Sequence, residues 1–355
     1  MKKIYTLFLS VCSLFVIAQE GAPAAPYYNG FNFTQTGNGL KNALASKISS
    51  THTKQLNYTP GVWNALKITD QDPNNSNNVL LLYGYTSSNR SRSKTQQCGG
   101  GNCNNTWNRE HTYAQALGTP ALGSTGPGAD AHHLRACDYT LNENRGNRKF
   151  AAGSGNAQTV GTNYWYPGDE WKGDVARMMM YMYLRYGNQC LPKNVANGTP
   201  VATDTNMIQL LLQWNAEDPV SEYEDQRNTY LEKASNSYGQ GNRNPFIDNP
   251  YLATLIWGGP VAQDRWGLMS VTDMDIFESQ LAIYPNPAVN NEITIYSEIE
   301  LNEVQVININ GQTIQYIKNP PVKNTEYKIE NLPQGFYIIK LSSENNATTR
   351  KIIVN

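Results

Sequence analysis

A change in residue use near Leu281 constrains this chain more than any other feature. Every histidine, cysteine and tryptophan among the 355 residues lies before that point. From Leu281 to Asn355 the chain instead alternates apolar and polar residues in short runs, at 292–296, 304–309, 327–329, 336–341 and 350–354. A period of two is the pattern of a half-buried strand, and the Asn310-Gly311 pair is a hairpin turn signal. Residues 281–355 therefore read as a small all-β sandwich with no catalytic constellation. What precedes must fold by itself, and it is long enough to bury its own core.

Residues 1–18 read as a secretory signal: Lys2 and Lys3, an apolar run over 4–17, then small side chains at Val16 and Ala18. The run is too short to span a bilayer, and no later stretch reaches the roughly 20 apolar residues a membrane helix needs. Cys12 is not expected to carry a lipid, because Val11 stands where a small residue should precede it. The chain is thus expected to be exported and soluble, with one domain over 19–262 and an acid-rich linker over 263–280.

Beyond Cys12 there remain Cys98, Cys103, Cys137 and Cys190, and an even number in an exported chain favours disulfides. Three pairings are open. Cys98 with Cys103 would close the loop through Gly99, Gly100 and Gly101 and leave Cys137 for Cys190. Zinc is the rival for the first pair, but no second Cys or His pair lies at a matching interval. Charge offers no bulk attraction for nucleic acid, since residues 19–262 hold 19 Lys/Arg against 18 Asp/Glu.

Within 19–262, the apolar positions 40, 44 and 48 have helical spacing, and 63–68 continues a helical element. Residues 79–85 form a short apolar run that reads as a buried strand. Strands are expected at 107–111 and 131–136, with loop between them and a helix or helix start over 141–150. Residues 171–186 put Val175, Met178, Met179, Met182 and Tyr186 on one helical face, read as core. Further helices are expected at 207–214 and 219–235 (starting at Asp218-Pro219), and 251–257 closes the domain.

Three of the four histidines fall in one region, beside carboxylates, amides and arginines. Trp107-Asn108-Arg109-Glu110-His111 is followed by Asp130-Ala131-His132-His133-Leu134 and then by Asn142-Glu143-Asn144-Arg145-Gly146-Asn147. Histidine is the natural base near neutral pH, a hard cation takes oxygen ligands, and arginine pairs with phosphate oxygens. Together these suit metal-assisted phosphodiester hydrolysis, with His111 as base and Glu110 and Asn142 as oxygen ligands. Neighbours on an ideal strand face opposite ways, so the strand must end or bend at Glu110-His111. His132 and His133 read as orienting or packing groups, and Arg177 as part of a core helix.

These segments resemble the bacterial endonuclease I family, secreted nonspecific nucleases built on a ββα-metal (His-Me finger) core. The likeness continues through 172–177, 214–227 and 241–248, and spans about 27–258. It implies an α+β fold, a ββα-metal finger surrounded by helices. It implies His111 as general base, Glu110 and Asn142 as ligands of Mg²⁺ (with Mn²⁺ or Ca²⁺ as alternatives), and Arg145 as a phosphate contact. It also implies DNA as the partner, with RNA as a second candidate, held through the backbone, and products that carry 5′-phosphates; a monomer is expected. Arg135-Ala136 departs from the family, where a proline is expected near the second strand.

The tail, opening on residues 281–288, continuing through Gly311 and 332–337 and closing on 351–354, resembles the type A sorting domain of type IX secretion. That resemblance makes the secretion machinery a partner and the destination extracellular. The competing expectation is an exported, noncatalytic binding module whose His/Asn cluster is structural, which predicts no metal-dependent turnover. A zinc hydrolase using His111, His132 and His133 is disfavoured, because no His-Glu-x-x-His helix supports it.

Overall fold

The computed structural model describes residues 26–268, 281–343 and 347–355. The expected signal segment and most of the expected linker lie outside these. The chain divides into two compact units, Met1–Trp266 and Gly267–Asn355.

The first unit is α+β. Helix α1 (Gly37–Thr51) buries Leu40, Leu44 and Ile48, the spaced apolar positions. After it come α2 (Trp63–Thr69) and strand β1 (Asn75–Leu80). Strands β2 (Trp107–His111) and β3 (Leu134–Asp138) pair antiparallel, from Trp107 opposite Asp138 to His111 opposite Leu134. The second strand starts three residues later than its pattern suggests, because residues 131–133 turn to bring His133 N–H to the Asp130 carbonyl.

Helix α3 (Tyr139–Arg145) follows without a gap. Asp138 caps its start by accepting from the Thr140 and Leu141 N–H groups, and Gly146 ends it at φ 51°, a left-handed turn that favours glycine. Strand, loop, strand and helix thus meet around one point. An apolar core shared by α2, β1, β2 and β3 lies beneath it and includes Leu66, Val79, Trp107, Leu134 and Ala136, with Leu231 added from a later helix.

Of the helices that follow among the described residues, four are longer than four residues: α4 (Lys172–Tyr186), α5 (Gln209–Glu217), α6 (Glu222–Glu232) and α7 (Tyr251–Trp257). Helix α4 is buried all round from Gly173 to Leu184, not along one stripe, as expected of a helix at the centre of a layer. Helix α6 begins at Ser221 instead of Asp218-Pro219. A capping box decides this: Ser221 accepts from Glu224 N–H while the Glu224 carboxylate accepts from Ser221 N–H. The unit continues through Arg265 and Trp266, where Arg265 Nη2 lies 2.7 Å from Asp225 and the Trp266 ring packs on Tyr28.

One disulfide joins Cys98 to Cys103, while Cys137 and Cys190 are free and buried. The pairing of those two is therefore corrected. Cys137 sits on β3 with its Sγ donating to the Leu82 carbonyl, and Cys190 closes the turn after α4.

The second unit is a single curled sheet of seven strands: β4 (Leu281–Val289), β5 (Glu292–Ser297), β6 (Glu303–Asn308), β7 (Thr313–Lys318), β8 (Glu326–Ile329), β9 (Gly335–Ser342) and β10 (Ala347–Val354). Their order is β7-β6-β9-β10-β4-β5-β8. Strand β4 holds the halves together: it runs antiparallel to β5, then places Ala288 beside Val354 of β10 in a parallel step. The alternating residues close one apolar core, with Ile293, Ile295, Val304, Val306, Ile339, Leu341 and Ile352 inside.

Candidate active site

Strand β2 ends at His111, and its last residues reach a cleft of about 220 Å³ lined by Arg109, Glu110, His111, Asn142, Glu143 and Arg145, among others. Two of the three segments singled out by spacing therefore deliver Glu110, His111, Asn142 and Arg145 to one place. Asp130, His132 and His133 stay behind it.

Glu110 is buried. Its Oε1 accepts from the Tyr83 hydroxyl (2.9 Å) and from Arg145 Nη1 (3.0 Å), which leaves Oε2 for the cleft. Burial raises its pKa above the usual carboxylate range, against the pull of Arg145 and Tyr83. Asn142 commits its amide nitrogen to Asn108 Oδ1 (2.8 Å), which turns its carbonyl oxygen the other way. The two side chains together offer a carboxylate and an amide oxygen. That set fits a hard cation of the Mg²⁺ kind, which takes one or two protein oxygens and keeps several waters. Among the described residues there is no group of three or more His, Cys, Asp or Glu able to hold a metal, which weighs against a zinc site.

His111 Nε2 lies 2.9 Å from the Gly128 carbonyl oxygen. A carbonyl only accepts, so Nε2 carries the proton and Nδ1 holds the lone pair. Burial, then the neighbouring His133, lowers the His111 pKa to about 3, so the ring is neutral at pH 7 and able to accept a proton. The Tyr58 ring stacks on it at 5.4 Å and 27°.

Arg145 was expected at the phosphate, but its guanidinium is only 1% exposed. Nη1 donates to Glu110 and to the His111 carbonyl (2.9 Å), and Nη2 to the Thr112 carbonyl (2.8 Å). It ties α3 to the end of β2. His133 donates from Nε2 to the Pro127 carbonyl (2.7 Å), and its Nδ1 accepts from Tyr113 N–H (3.4 Å). His132 donates to the Asn242 carbonyl (3.1 Å). Both fix loops. Arg177 is buried and paired through Nε with Glu224 at 2.6 Å.

Three contributors carried no signal in the motif itself. Tyr83, at φ 69°, comes from the loop after β1. Tyr58 precedes α2. Gly128 belongs to the loop between the strands, where an added Cβ would sit 2.0 Å from the Gly123 carbonyl oxygen. The glycines at 123, 126 and 128 fit the loop expected between the strands, but nothing in the sequence marks one carbonyl in it as the group that orients the base.

Both units of the chain are similar to known proteins. The family model for Endonuclease I matches residues 36–251, and that for the secretion system C-terminal sorting domain matches 282–355. An extracellular ribonuclease of Bacillus subtilis (strain 168) is 43% identical over 250 residues, covering 66% of this chain and 82% of that protein. One of Bacillus amyloliquefaciens is 44% identical over 261 residues, covering 71% and 84%.

Proposed function

This chain belongs to the endonuclease I family and ends in a secretion-system sorting domain, and on that premise we propose that it is a divalent-cation-dependent endonuclease that cuts the phosphodiester backbone of DNA and RNA with little sequence preference. It is a secreted nuclease. In this reading it acts as a monomer outside the cell, leaves 5′-phosphate ends, and is carried there by the type IX secretion machinery. Among the described residues no helix is long and apolar enough to cross a membrane.

One observation carries the reading: Glu110, His111 and Asn142, from two elements of a ββα finger, line the same cleft. Glu110 Oε2 and the Asn142 carbonyl would hold the cation, Mg²⁺ in preference to Mn²⁺ or Ca²⁺. When bound, such an ion supplies positive charge at the phosphate and at the leaving 3′ oxygen. His111 takes the proton of the attacking water at Nδ1, while the Gly128 carbonyl holds the opposite edge of the ring. An arriving phosphate raises the proton affinity of the imidazole by its own negative charge. Arg145 is a positioning residue here: it steadies Glu110 and the carbonyls of His111 and Thr112. The ribonuclease names of the two Bacillus relatives support RNA as a substrate beside DNA.

The test is digestion of plasmid DNA and of long RNA by the secreted chain, with Mg²⁺ and with EDTA, followed by ligation of the DNA ends. Cation-dependent cutting of both polymers into ligatable ends is expected, with Glu110→Gln shifting the Mg²⁺ midpoint upward. Undiminished cutting in EDTA would end the metal reading, and intact DNA beside degraded RNA would narrow the substrate to RNA.

A further inference from the structure

We infer that Arg109 grips the scissile phosphate and that Tyr58 is the positioning residue that holds Arg109 and His111 to the cleft together; the inference rests on the nuclease reading above. Side chains alternate along β2, so Asn108 and Glu110 share the face toward Asn142, while Arg109 and His111 share the other. One ring covers that second face. The Tyr58 ring centroid lies 3.4 Å from Arg109 Cζ and 5.4 Å from the His111 ring. Trp63 adds a second aromatic surface, 4.3 Å from the same Cζ. Arg109 Nη1 donates to the Tyr58 carbonyl and to Thr59 Oγ1. Stacking and these bonds fix the plane of the guanidinium while it still lines the cleft.

Of the two arginines lining the cleft, the charge pattern points to the same one. Buried Arg135, Arg145, Arg177 and Arg243 are each matched to a carboxylate. No carboxylate faces Arg109 among the described ion pairs, and it is half-exposed. In a unit whose charges nearly cancel, a cation left unpaired at a cleft is available to an anion. A planar fork held still can bond two non-bridging phosphate oxygens at once, and it is worth most as charge accumulates on them in the transition state.

The experiment uses the whole secreted chain. Arg109→Gln, which keeps the stem and loses the charge, is expected to lower kcat/KM on the order of 100-fold. Binding of a short labelled single-stranded DNA to the His111→Ala chain, titrated with NaCl, gives a readout free of turnover. Adding Arg109→Gln should make its log Kd against log salt shallower by about 0.7, the loss of one phosphate contact on a single strand. Arg109→Lys should keep that slope but lose at least about tenfold in kcat, because the ammonium lacks the fork. An active parent beside an Arg109→Gln chain within about threefold of it, with an unchanged slope, overturns this inference alone. So does Arg109→Lys at parental kcat, which decides the matter should the glutamine variant not fold. A parent that cuts neither DNA nor RNA overturns the nuclease reading and this inference together.

Discussion

In the sorting unit the buried side chains are almost all apolar, from Leu281 through Ile293, Val306 and Ile339 to Val354, and Ser297 and Thr348 are the only buried polar ones described. The nuclease unit instead buries Asp70, Glu110, Asp130, Arg135, Arg145, Asp174, Arg177, Glu224, Arg227 and Arg243. The difference follows from how each unit satisfies its backbone. A sheet of long strands pairs its own N–H and C=O groups, so its core needs only apolar side chains. The nuclease unit is built on short strands and long loops, and its side chains must reach the loop carbonyls. Arg227 donates to those of Ala131 and Leu134, Arg145 to those of His111 and Thr112, and Asn244 to that of Arg177. Each buried cation then needs a buried carboxylate. The charged core is what permits an irregular, polar site to exist inside a folded domain.

The largest expected effect separates chemistry from packing. His111→Ala should lower kcat/KM by about 10²–10⁴-fold, the usual worth of a general base. Ile339→Val, in the sorting core, should leave the rate unchanged. A His111→Ala chain within about tenfold of the parent would end the base assignment.

Stability should break differently in the two units. Asp70 faces Arg135 at 3.4 Å, pairs with Arg227, and accepts the Ala136 N–H at 2.6 Å. Asp70→Asn leaves Arg227 without its carboxylate, while Arg135 keeps Asp174, and should cost about 3–5 kcal/mol. Ile339→Val removes one methyl from an apolar core and should cost about 0.5–1.5 kcal/mol. Urea melts followed by tryptophan fluorescence isolate the first unit, since all seven tryptophans precede Leu281. A cost below about 1 kcal/mol for Asp70→Asn would show that the buried charges are not needed for the fold.

Acid should sharpen the contrast. Burial lowers His133 to about 4 and, with His133 as the next cause, His111 to about 3. Both are neutral in the fold and take up a proton in the unfolded chain below about 6.5, so stability present above that pH is lost as pH falls toward the folded values. For His133 this amounts to about 3 kcal/mol by pH 4. Asp130, held low by His52 and His132 against its burial, loses stability in the same direction below about pH 3.9. The sorting unit has no histidine, so the fluorescence transition should move with acid while the remaining circular-dichroism transition stays. A tryptophan-reported unit as stable at about pH 4 as at neutrality would refute this.

Reduction should move the nuclease unit less than acid does. Cys98–Cys103 closes a very short loop, and its loss should cost the nuclease unit about 2 kcal/mol and the cysteine-free sorting unit nothing. Equal shifts in both transitions on adding a reductant would contradict it.

What could be read from the sequence was local. The helical spacing of Leu40, Leu44 and Ile48, the two-residue alternation of the tail, and the tight run from Asn108 to His111 each express a period or a motif within a few residues. Such patterns survive because neighbours in the chain remain neighbours in a helix or strand. The start of α6 was misplaced because two start signals competed, and the capping box of Ser221 and Glu224 outweighed the proline.

Tertiary structure alone decided which distant groups complete the site. Tyr58, Tyr83 and Gly128 reach Arg109, Glu110 and His111 from other parts of the chain, and no pattern near the motif marks those meetings. The roles open to the two arginines separated for the same reason. Arg145 stands in the motif yet is enclosed against Glu110, while Arg109, unremarkable as a neighbour of the pair, is left half-exposed on an aromatic shelf. Residue type states what a side chain can do. Burial and the partners brought by long-range packing state which of those things it is free to do.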